Sequence, residues 1–137
     1  MTTVSRPPSI GDAEREQRLD RLRGAMPASG FDAVIISPGS NMRYFFAEAF
    51  YESERFVGVL ITADRIVFIC PKFEESAIRA KFPMASEMAF WEEHECPFAL
   101  IASLLADTPR VCSTRWRSAR ILFSVALPPR SSLHCGR

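Results

Sequence analysis

The sequence predicts an α/β domain in which helices flank a mixed, partly antiparallel sheet of about five strands. Short β-branched apolar runs alternate with amphipathic segments, and two of the apolar runs are only three residues apart. Of the 137 residues, 47% are hydrophobic. This apolar fraction supports a folded core and argues against a disordered chain.

Helical spacing and strand composition place the elements along the chain. The first helix carries Leu19, Leu22 and Met26 as one apolar stripe, and acidic side chains occupy its first turn, where the helix dipole favours negative charge. Pro27 is expected to stop or kink this helix. The predicted elements are helix 12–26, strand 32–37, helix 42–49, strands 56–62 and 66–70, helix 72–81, a short strand within 84–90, and helix 97–106.

Two short-range signals define the sheet and the last helix. Only Ala63, Asp64 and Arg65 separate the second and third strands, which is typical of an antiparallel hairpin. The first strand is a β-branched apolar run, which suits burial on both faces. Pro97 follows three glutamates and is a strong signal for the start of a helix.

The overall net charge of +1 hides an asymmetry along the chain. Residues 1–107 carry 11 basic and 16 acidic side chains, a net charge of −5, whereas residues 108–137 carry six arginines and no acid, a net charge of +6. A segment rich in Arg, Ser, Pro and Cys without Lys, Asp or Glu is what a GC-rich gene yields when read out of frame. We therefore expect a domain at 12–107 and an Arg/Ser-rich tail at 108–137 outside the family fold. A basic arm that binds RNA or an acidic partner is the alternative interpretation.

Composition also disfavours several classes of protein. Near-zero net charge gives no support for nucleic-acid binding, and no apolar run reaches the ~18–20 residues that span a membrane. Because the first residues carry no apolar leader, we expect a cytoplasmic chain. The four cysteines form no C-x-x-C pair, so we expect free thiols rather than a zinc site.

No active site is evident from the residues alone. The sequence has no G-x-S-x-G elbow and no glycine-rich phosphate loop. Residues 92–96 place carboxylate, imidazole and thiol groups together, but the start of a helix explains this segment better than a metal site does. A solvated loop is the preferred interpretation of Glu48, Glu52 and Glu54. Two interpretations of the aromatic residues at 44–51 are equally supported: a place in the core, and a ligand pocket or partner surface. These residues are Tyr44, Phe45, Phe46, Phe50 and Tyr51.

Several short sequence blocks, taken in order, carry a family resemblance. They are Arg18-Leu19 with Arg21-Leu22, Gly30-Phe31-Asp32-Ala33-Val34-Ile35-Ile36, Asn41-Met42-Arg43-Tyr44, Glu54-Arg55-Phe56-Val57-Gly58, Ile69-Cys70-Pro71 with Phe73-Glu74, and Trp91-Glu92-Glu93-His94-Glu95. In this order they resemble the N-terminal domain of the creatinase/prolidase family, specifically the bacterial Xaa-Pro peptidases, which have a pita-bread catalytic fold.

The resemblance implies a domain without chemistry of its own. In that family two divalent metal ions are held by Asp, His and Glu side chains of a C-terminal domain, so no catalytic residue, metal ligand or cofactor is expected in this chain. The expected function is that of the non-catalytic N-terminal domain of a truncated or frameshifted Xaa-Pro metallopeptidase, inactive alone. The alternative is a free-standing dimerisation or interaction module that pairs with full-length peptidase subunits.

The resemblance also implies where contacts with other subunits would lie. The family's N-terminal domain forms dimer contacts, and its loops reach the active-site entrance of a neighbouring subunit. We therefore expect a homodimer, or pairing with related peptidase subunits. The matching interface or substrate-mouth candidates are Asn41, Arg43, Tyr44, Phe50, Tyr51, Glu54 and Arg55.

Overall fold

The computed structural model describes residues 10–51, 53–105 and 111–114, the last four by their backbone alone. Its elements are α1 (Asp12–Ala28), β1 (Ala33–Ile36), α2 (Ser40–Phe46), β2 (Gly58–Thr62), β3 (Ile66–Pro71), a 3₁₀ turn (Lys72–Glu74), α3 (Glu75–Lys81), β4 (Met88–Trp91), α4 (Pro97–Leu104) and β5 (Val111–Thr114). Every helix and strand predicted from the sequence is present, with boundaries shifted by a few residues.

The strands form one mixed sheet in the order β4-β3-β2-β1-β5. Strand β2 pairs antiparallel with both β1 and β3, whereas β4 is parallel to β3 and β5 is parallel to β1. The hairpin closes as predicted, with the Thr62 amide donating to the Arg65 carbonyl at 2.9 Å. The predicted mixed, partly antiparallel sheet of about five strands is therefore confirmed.

The sheet continues past residue 107, where we predicted the domain to end. Residues 111–114 pair with β1 in register, from Ala33 opposite Val111 to Ile36 opposite Thr114. The loss of acidic and lysine side chains after residue 107 therefore does not mark the end of the fold. An edge strand requires an extended backbone and a neighbouring strand with unpaired backbone groups. The net charge of a segment determines neither of these.

Side chains of β1, β2 and β3 are buried alternately on the two faces of the sheet, so each face has its own core. Helices α1, α2 and α3 cover one face, and α4 covers the other. The first core contains Leu19, Met26, Val34, Ile36, Met42, Phe46, Val57, Val59, Ile61, Phe68, Cys70, Ile78 and Phe82. The second contains Ala33, Ile35, Leu60, Val67, Ile69, Trp91, Ile101 and Leu105.

Helix α1 passes through Pro27 instead of stopping there. The helix ends at Ala28, and its last carbonyls are satisfied by the residues that follow: the Gly30 amide donates to the Pro27 carbonyl at 3.1 Å, and the Phe31 amide donates to the Met26 carbonyl at 2.9 Å. This is a Schellman ending, with Gly30 at φ 81°. Because Pro27 lies in the last turn, its missing N–H affects only the end of the helix.

The second helix is shorter than predicted, and the helices as a group are short. Helix α2 ends at Phe46 because Ala47 adopts a left-handed conformation with φ 63°, which is uncommon for a residue with a Cβ atom.

Over the described residues, no helix has both the length and the apolar composition needed to cross a membrane.

We predict that the connection from β1 to α2 tolerates only glycine. Gly39 lies at φ 122° and ψ −154°, a region essentially restricted to glycine, so Gly39→Ala should lower the free energy of unfolding by about 1–3 kcal/mol. Gly24→Ala is the matched control. It adds the same methyl group to open space within α1 and should raise stability by about 0.5–1 kcal/mol. Urea unfolding measures both, and equal effects would contradict the prediction.

Stability at high pH should depend on Cys70. Burial, followed by the nearby Glu74 and Glu75 charges, raises the pKa of this thiol from 9.0 to about 11. Between these values the unfolded chain loses the proton while the folded chain keeps it, so this contribution to stability falls by roughly 1 kcal/mol per pH unit. In Cys70→Ala this loss should disappear. A difference in unfolding free energy between the two proteins that stays constant from about pH 8 to pH 10.5 would disprove the assignment.

Candidate functional site

One edge of the sheet brings together several of the segments that the sequence analysis selected. Strands β1, β3, β4 and β5 run in one direction and β2 runs against them, so four strands end where β2 begins. We call this the carboxyl edge. The segments that lie along it are residues 37–39, 53–57, 72–74 and 92–96. In open α/β sheets this edge is the common position of binding residues.

Arg55 links the segment before β2 to the turn after β4. Its Nη2 atom lies 2.5 Å from Oε1 of Glu93, and its guanidinium carbon lies 5.0 Å from the ring centroid of Phe73. Ser53 holds the backbone here, because its Oγ atom accepts from the Arg55 amide at 3.2 Å and donates to the Arg55 carbonyl at 3.0 Å. These four side chains are exposed. A stacked arginine on the surface is a frequent contact residue in protein interfaces.

Phe56 continues this surface towards α4. The Nε1 atom of buried Trp91 donates to the Phe56 carbonyl at 3.1 Å, which fixes the backbone of Phe56 against β4. The Phe56 ring lies 5.6 Å from the ring of Phe98 in the first turn of α4. Phe73 is 58% exposed and Phe98 is 54% exposed. Together, Phe56, Phe73 and Phe98 with Arg55 form an exposed group that we call the aromatic ridge.

The first three interface candidates lie on α2. Asn41 and Arg43 are exposed, and Tyr44 is 45% exposed. The guanidinium of Arg18 on α1 lies 4.1 Å from the Tyr44 ring centroid, and its Nη1 atom donates to the Tyr44 carbonyl at 2.7 Å. Glu14 accepts from the same guanidinium at 2.5 Å. Tyr44 is therefore held in place by α1 while much of its ring stays accessible.

Phe50 and Tyr51 lie in the segment that connects α2 to β2. Their ring centroids are 6.3 Å apart. The Phe50 amide donates to the sulfur of Met42 at 3.4 Å, and the ammonium of Lys81 lies 5.0 Å from the Tyr51 ring centroid. Lys81 also lies 3.8 Å from an oxygen of Glu48. Tyr51 is 78% exposed, so it is a surface residue in contact with the end of α3.

The predicted candidates lie on separate parts of the surface, and Tyr51 contacts Lys81 at the end of α3. Tyr44 belongs to the α1–α2 surface, and Arg55 belongs to the aromatic ridge at the carboxyl edge. Glu54 is exposed beside Arg55, whereas Glu52 lies outside the described residues. Of the five aromatic residues at 44–51, Phe46 is buried, Phe45 and Phe50 are half-buried, and Tyr44 and Tyr51 are exposed, so the run is divided between core and surface.

Sequence reasoning missed two members of the aromatic ridge. Helical spacing grouped Phe98 with the apolar face of α4 and counted Phe73 with the apolar residues of the helix that follows β3, and both are exposed. Each residue lies at the beginning of its helical segment. A side chain in the first turn can extend past the end of the sheet, where no strand is available to cover it.

The acidic turn after β4 leads directly into a helix. The Glu92 amide donates to Oε2 of Glu95 at 2.8 Å, and the Glu95 amide donates to the Glu92 carbonyl at 2.8 Å. Helix α4 then begins at Pro97, as predicted. His94 is exposed, and the described part of the chain holds no group of three or more His, Cys, Asp and Glu side chains placed to bind a metal ion.

The two cysteines with described side chains differ. Cys70 is a buried free thiol, as expected. Cys96 is disulfide-bonded, contrary to the expectation of free thiols. Spacing in the sequence gave no indication of this bond, because two cysteines can be bridged only where the fold brings their sulfur atoms together.

The start of α1 borders a shallow cleft of about 310 Å³. Its floor is apolar and includes Phe45, Phe46 and Phe68. The charged side chains at its rim come from the first turns of α1, where Arg15 is paired with Asp12. The lining also includes the hydroxyl group of Ser86, which forms no hydrogen bond with the Asp12 or Glu16 carboxylates that line the same cleft.

The fold and the surface agree with a known domain family. The sequence profile of the Creatinase/Prolidase N-terminal domain family matches residues 18–121. The chain belongs to this family. The match covers most of the chain and, like β5, extends beyond residue 107. No curated protein matches the chain.

Solved structures share the fold of this Creatinase/Prolidase N-terminal domain. Dipeptidase PepE from Mycobacterium ulcerans has a TM-score of 0.64 at 20% identity, and the match covers 81% of this chain and 30% of that one. The N-terminal domain of Xaa-Pro dipeptidase from Lactobacillus brevis has a TM-score of 0.60 at 16% identity, covering 70% and 75%. A dipeptidase from Pyrococcus horikoshii has a TM-score of 0.58 at 23% identity, covering 76% and 29%. The chain thus spans about a third of the full-length dipeptidases.

We predict that Arg55 controls local opening more than global stability. Because its ion pair and its stacking on Phe73 are exposed, Arg55→Ala should change the free energy of unfolding by less than about 1 kcal/mol. Hydrogen exchange of residues 53–57 should nevertheless accelerate, since the ion pair and the ring contact that Arg55 adds to this segment are removed. Arg43→Ala is the control, because that arginine is equally exposed but lies on α2. Equal exchange rates in the two variants would refute the role assigned to Arg55.

Proposed function

We propose that this chain serves as the non-catalytic N-terminal domain of a Xaa-Pro metallopeptidase of the dipeptidase type. The proposal is supported by the fraction of each related protein that this chain matches. Similarity to full-length dipeptidases covers only 26–30% of their length, whereas similarity to the solved N-terminal domain from Lactobacillus brevis covers 75% of it. The chain therefore corresponds to one domain of such an enzyme.

The residues that the structure describes do not fit the metal centre that the family implies. A dinuclear site needs several carboxylate and imidazole groups that converge on one point. The richest such segment, residues 92–96, is an exposed turn in which Glu95 accepts a hydrogen bond from the Glu92 amide. We therefore place the two divalent ions and the hydrolytic reaction in a separate catalytic domain, and derive no reaction step from this chain.

The candidate residues are proposed to contact that enzyme or a second subunit. Tyr44 on α2 and Arg55 on the aromatic ridge are exposed yet held in place by Arg18 and Glu93, and residues ordered in this way lose little entropy on binding. We propose that these two surfaces form a homodimer contact or border a substrate entrance. We also propose a cytoplasmic location and no role in binding nucleic acids.

A free-standing interaction module is the second candidate function. It is favoured by the exposure of Tyr51, Phe73 and Phe98, because three large apolar side chains on the surface of a small domain suggest a surface that is covered by a partner. In this case the chain would pair with intact peptidase subunits. Sedimentation of the chain mixed with an intact related dipeptidase compares the two candidates, since a complex at micromolar concentration favours the module and its absence favours an inactive remnant of the enzyme.

The proposal includes an origin for the missing catalytic domain, namely a parent gene that is truncated or frameshifted. No acidic or lysine side chain follows residue 121, where the family match ends, and this supports it. The nucleotide sequence beyond that codon tests it. A long open stretch in another frame that encodes the family's Asp, His and Glu ligands is expected, and its absence from all frames would contradict a frameshift.

We expect the purified chain to bind no stoichiometric metal and to hydrolyse no Xaa-Pro dipeptide. The assay adds manganese, cobalt or zinc and measures both release of proline and metal content after desalting. An intact dipeptidase of the family, treated identically, is the positive control. Turnover above background together with a tightly held pair of ions would overturn the proposed function.

A further inference from the structure

The aromatic ridge has an acidic border. Glu54, Glu92 and Glu95 are exposed around it, and in the described part of the chain none of them forms an ion pair. The two nearest cations are already engaged, because Arg55 pairs with Glu93 and Lys72 pairs with Glu75. This surface therefore combines exposed aromatic rings with uncompensated negative charge.

The composition of the C-terminal segment is complementary to this surface. Residues 115–137, which lie outside the described residues, contain five arginines and no acidic side chain. Apolar residues alternate with these arginines, including Trp116, Ile121, Leu122 and Phe123. Arginine stacks on aromatic rings and pairs with carboxylates, so this is the composition that an acidic aromatic surface binds.

The topology of the sheet brings the two together. Strand β5 is parallel to β1, and Thr114 lies opposite Ile36, the last residue of β1. The chain therefore leaves the sheet at the carboxyl edge, the edge that carries the aromatic ridge. The start of β2 is two strands away, about 10 Å, and β4 is four strands away, about 19 Å. Six extended residues span about 20 Å, so residues 115–120 are sufficient to reach the ridge.

We propose that residues 115–137 of this chain dock on the aromatic ridge, with their arginines on Glu54, Glu92 and Glu95 and their apolar side chains on Phe73 and Phe98. The proposal depends on charge, exposed rings and strand direction, and it is independent of the proposed peptidase relationship.

Limited trypsin digestion of the full chain tests the docking, because trypsin cleaves after arginine. The rates after Arg117, Arg120 and Arg130 are followed by mass spectrometry and compared with those of a synthetic peptide of residues 111–137 in the same reaction. Docked arginines are expected to be cleaved more slowly in the chain than in the peptide. Raising the salt concentration to about 0.5 M should reduce this difference, since exposed ion pairs are screened.

A charge-matched pair of variants makes the test specific. Glu54→Gln combined with Glu92→Gln and Glu95→Gln removes three carboxylates while leaving the Arg55–Glu93 pair and the acceptor for the Glu92 amide in place. This variant should be cleaved at least about fivefold faster at the three arginines. The control, Glu16→Gln with Asp20→Asn and Asp64→Asn, removes three exposed charges from α1 and the β2–β3 turn and should leave the rates unchanged.

Two results would overturn the proposal. One is cleavage of the unsubstituted chain at the rate of the free peptide in low salt, which means that the segment is undocked. The other is protection that disappears when the chain is diluted, which means that the segment docks on a second copy instead of its own domain.

Discussion

The burial of the central strands on both faces is the constraint on which the rest of the structure depends. Ile36, Val59 and Ile69 are completely buried, and successive residues of each strand face opposite cores. A sheet of this kind is stable only if helices cover both of its faces. Three helices cover one side and α4 alone covers the other, so the loops between elements are displaced to the two ends of the strands.

This arrangement explains why surface features concentrate at the carboxyl edge. Four strands end there, and the segments that leave them have no further strand to pack against. Phe73 and Phe98 lie outside both cores and are exposed. Trp91, the last residue of β4, is buried, and its indole N–H donates to the Phe56 carbonyl. The aromatic ridge is thus a consequence of where the strands stop.

The charge of the carboxyl edge depends on which of its ionised side chains are paired. Arg55 pairs with Glu93 and Lys72 pairs with Glu75, which leaves Glu92 and Glu95 of the β4–α4 turn without ion-pair partners among the described side chains. Exposed side chains along this edge are nevertheless held in place, because Arg55 pairs with Glu93 and lies over the ring of Phe73.

The order of helices and strands, the hairpin and the buried strand β1 were all determined by the sequence itself, because local spacing, turn residues and β-branched composition act over a few neighbours. The absence of a recognisable catalytic motif was equally evident from the residues. Tertiary structure decided the remainder. The relative positions of the strand ends decided three features. They determine that Phe98 stays outside the cores, that residues 111–114 complete the sheet, and that Arg55 contacts Glu93 and Phe73. Those contacts connect residues far apart in the chain, and no periodicity along the sequence records them.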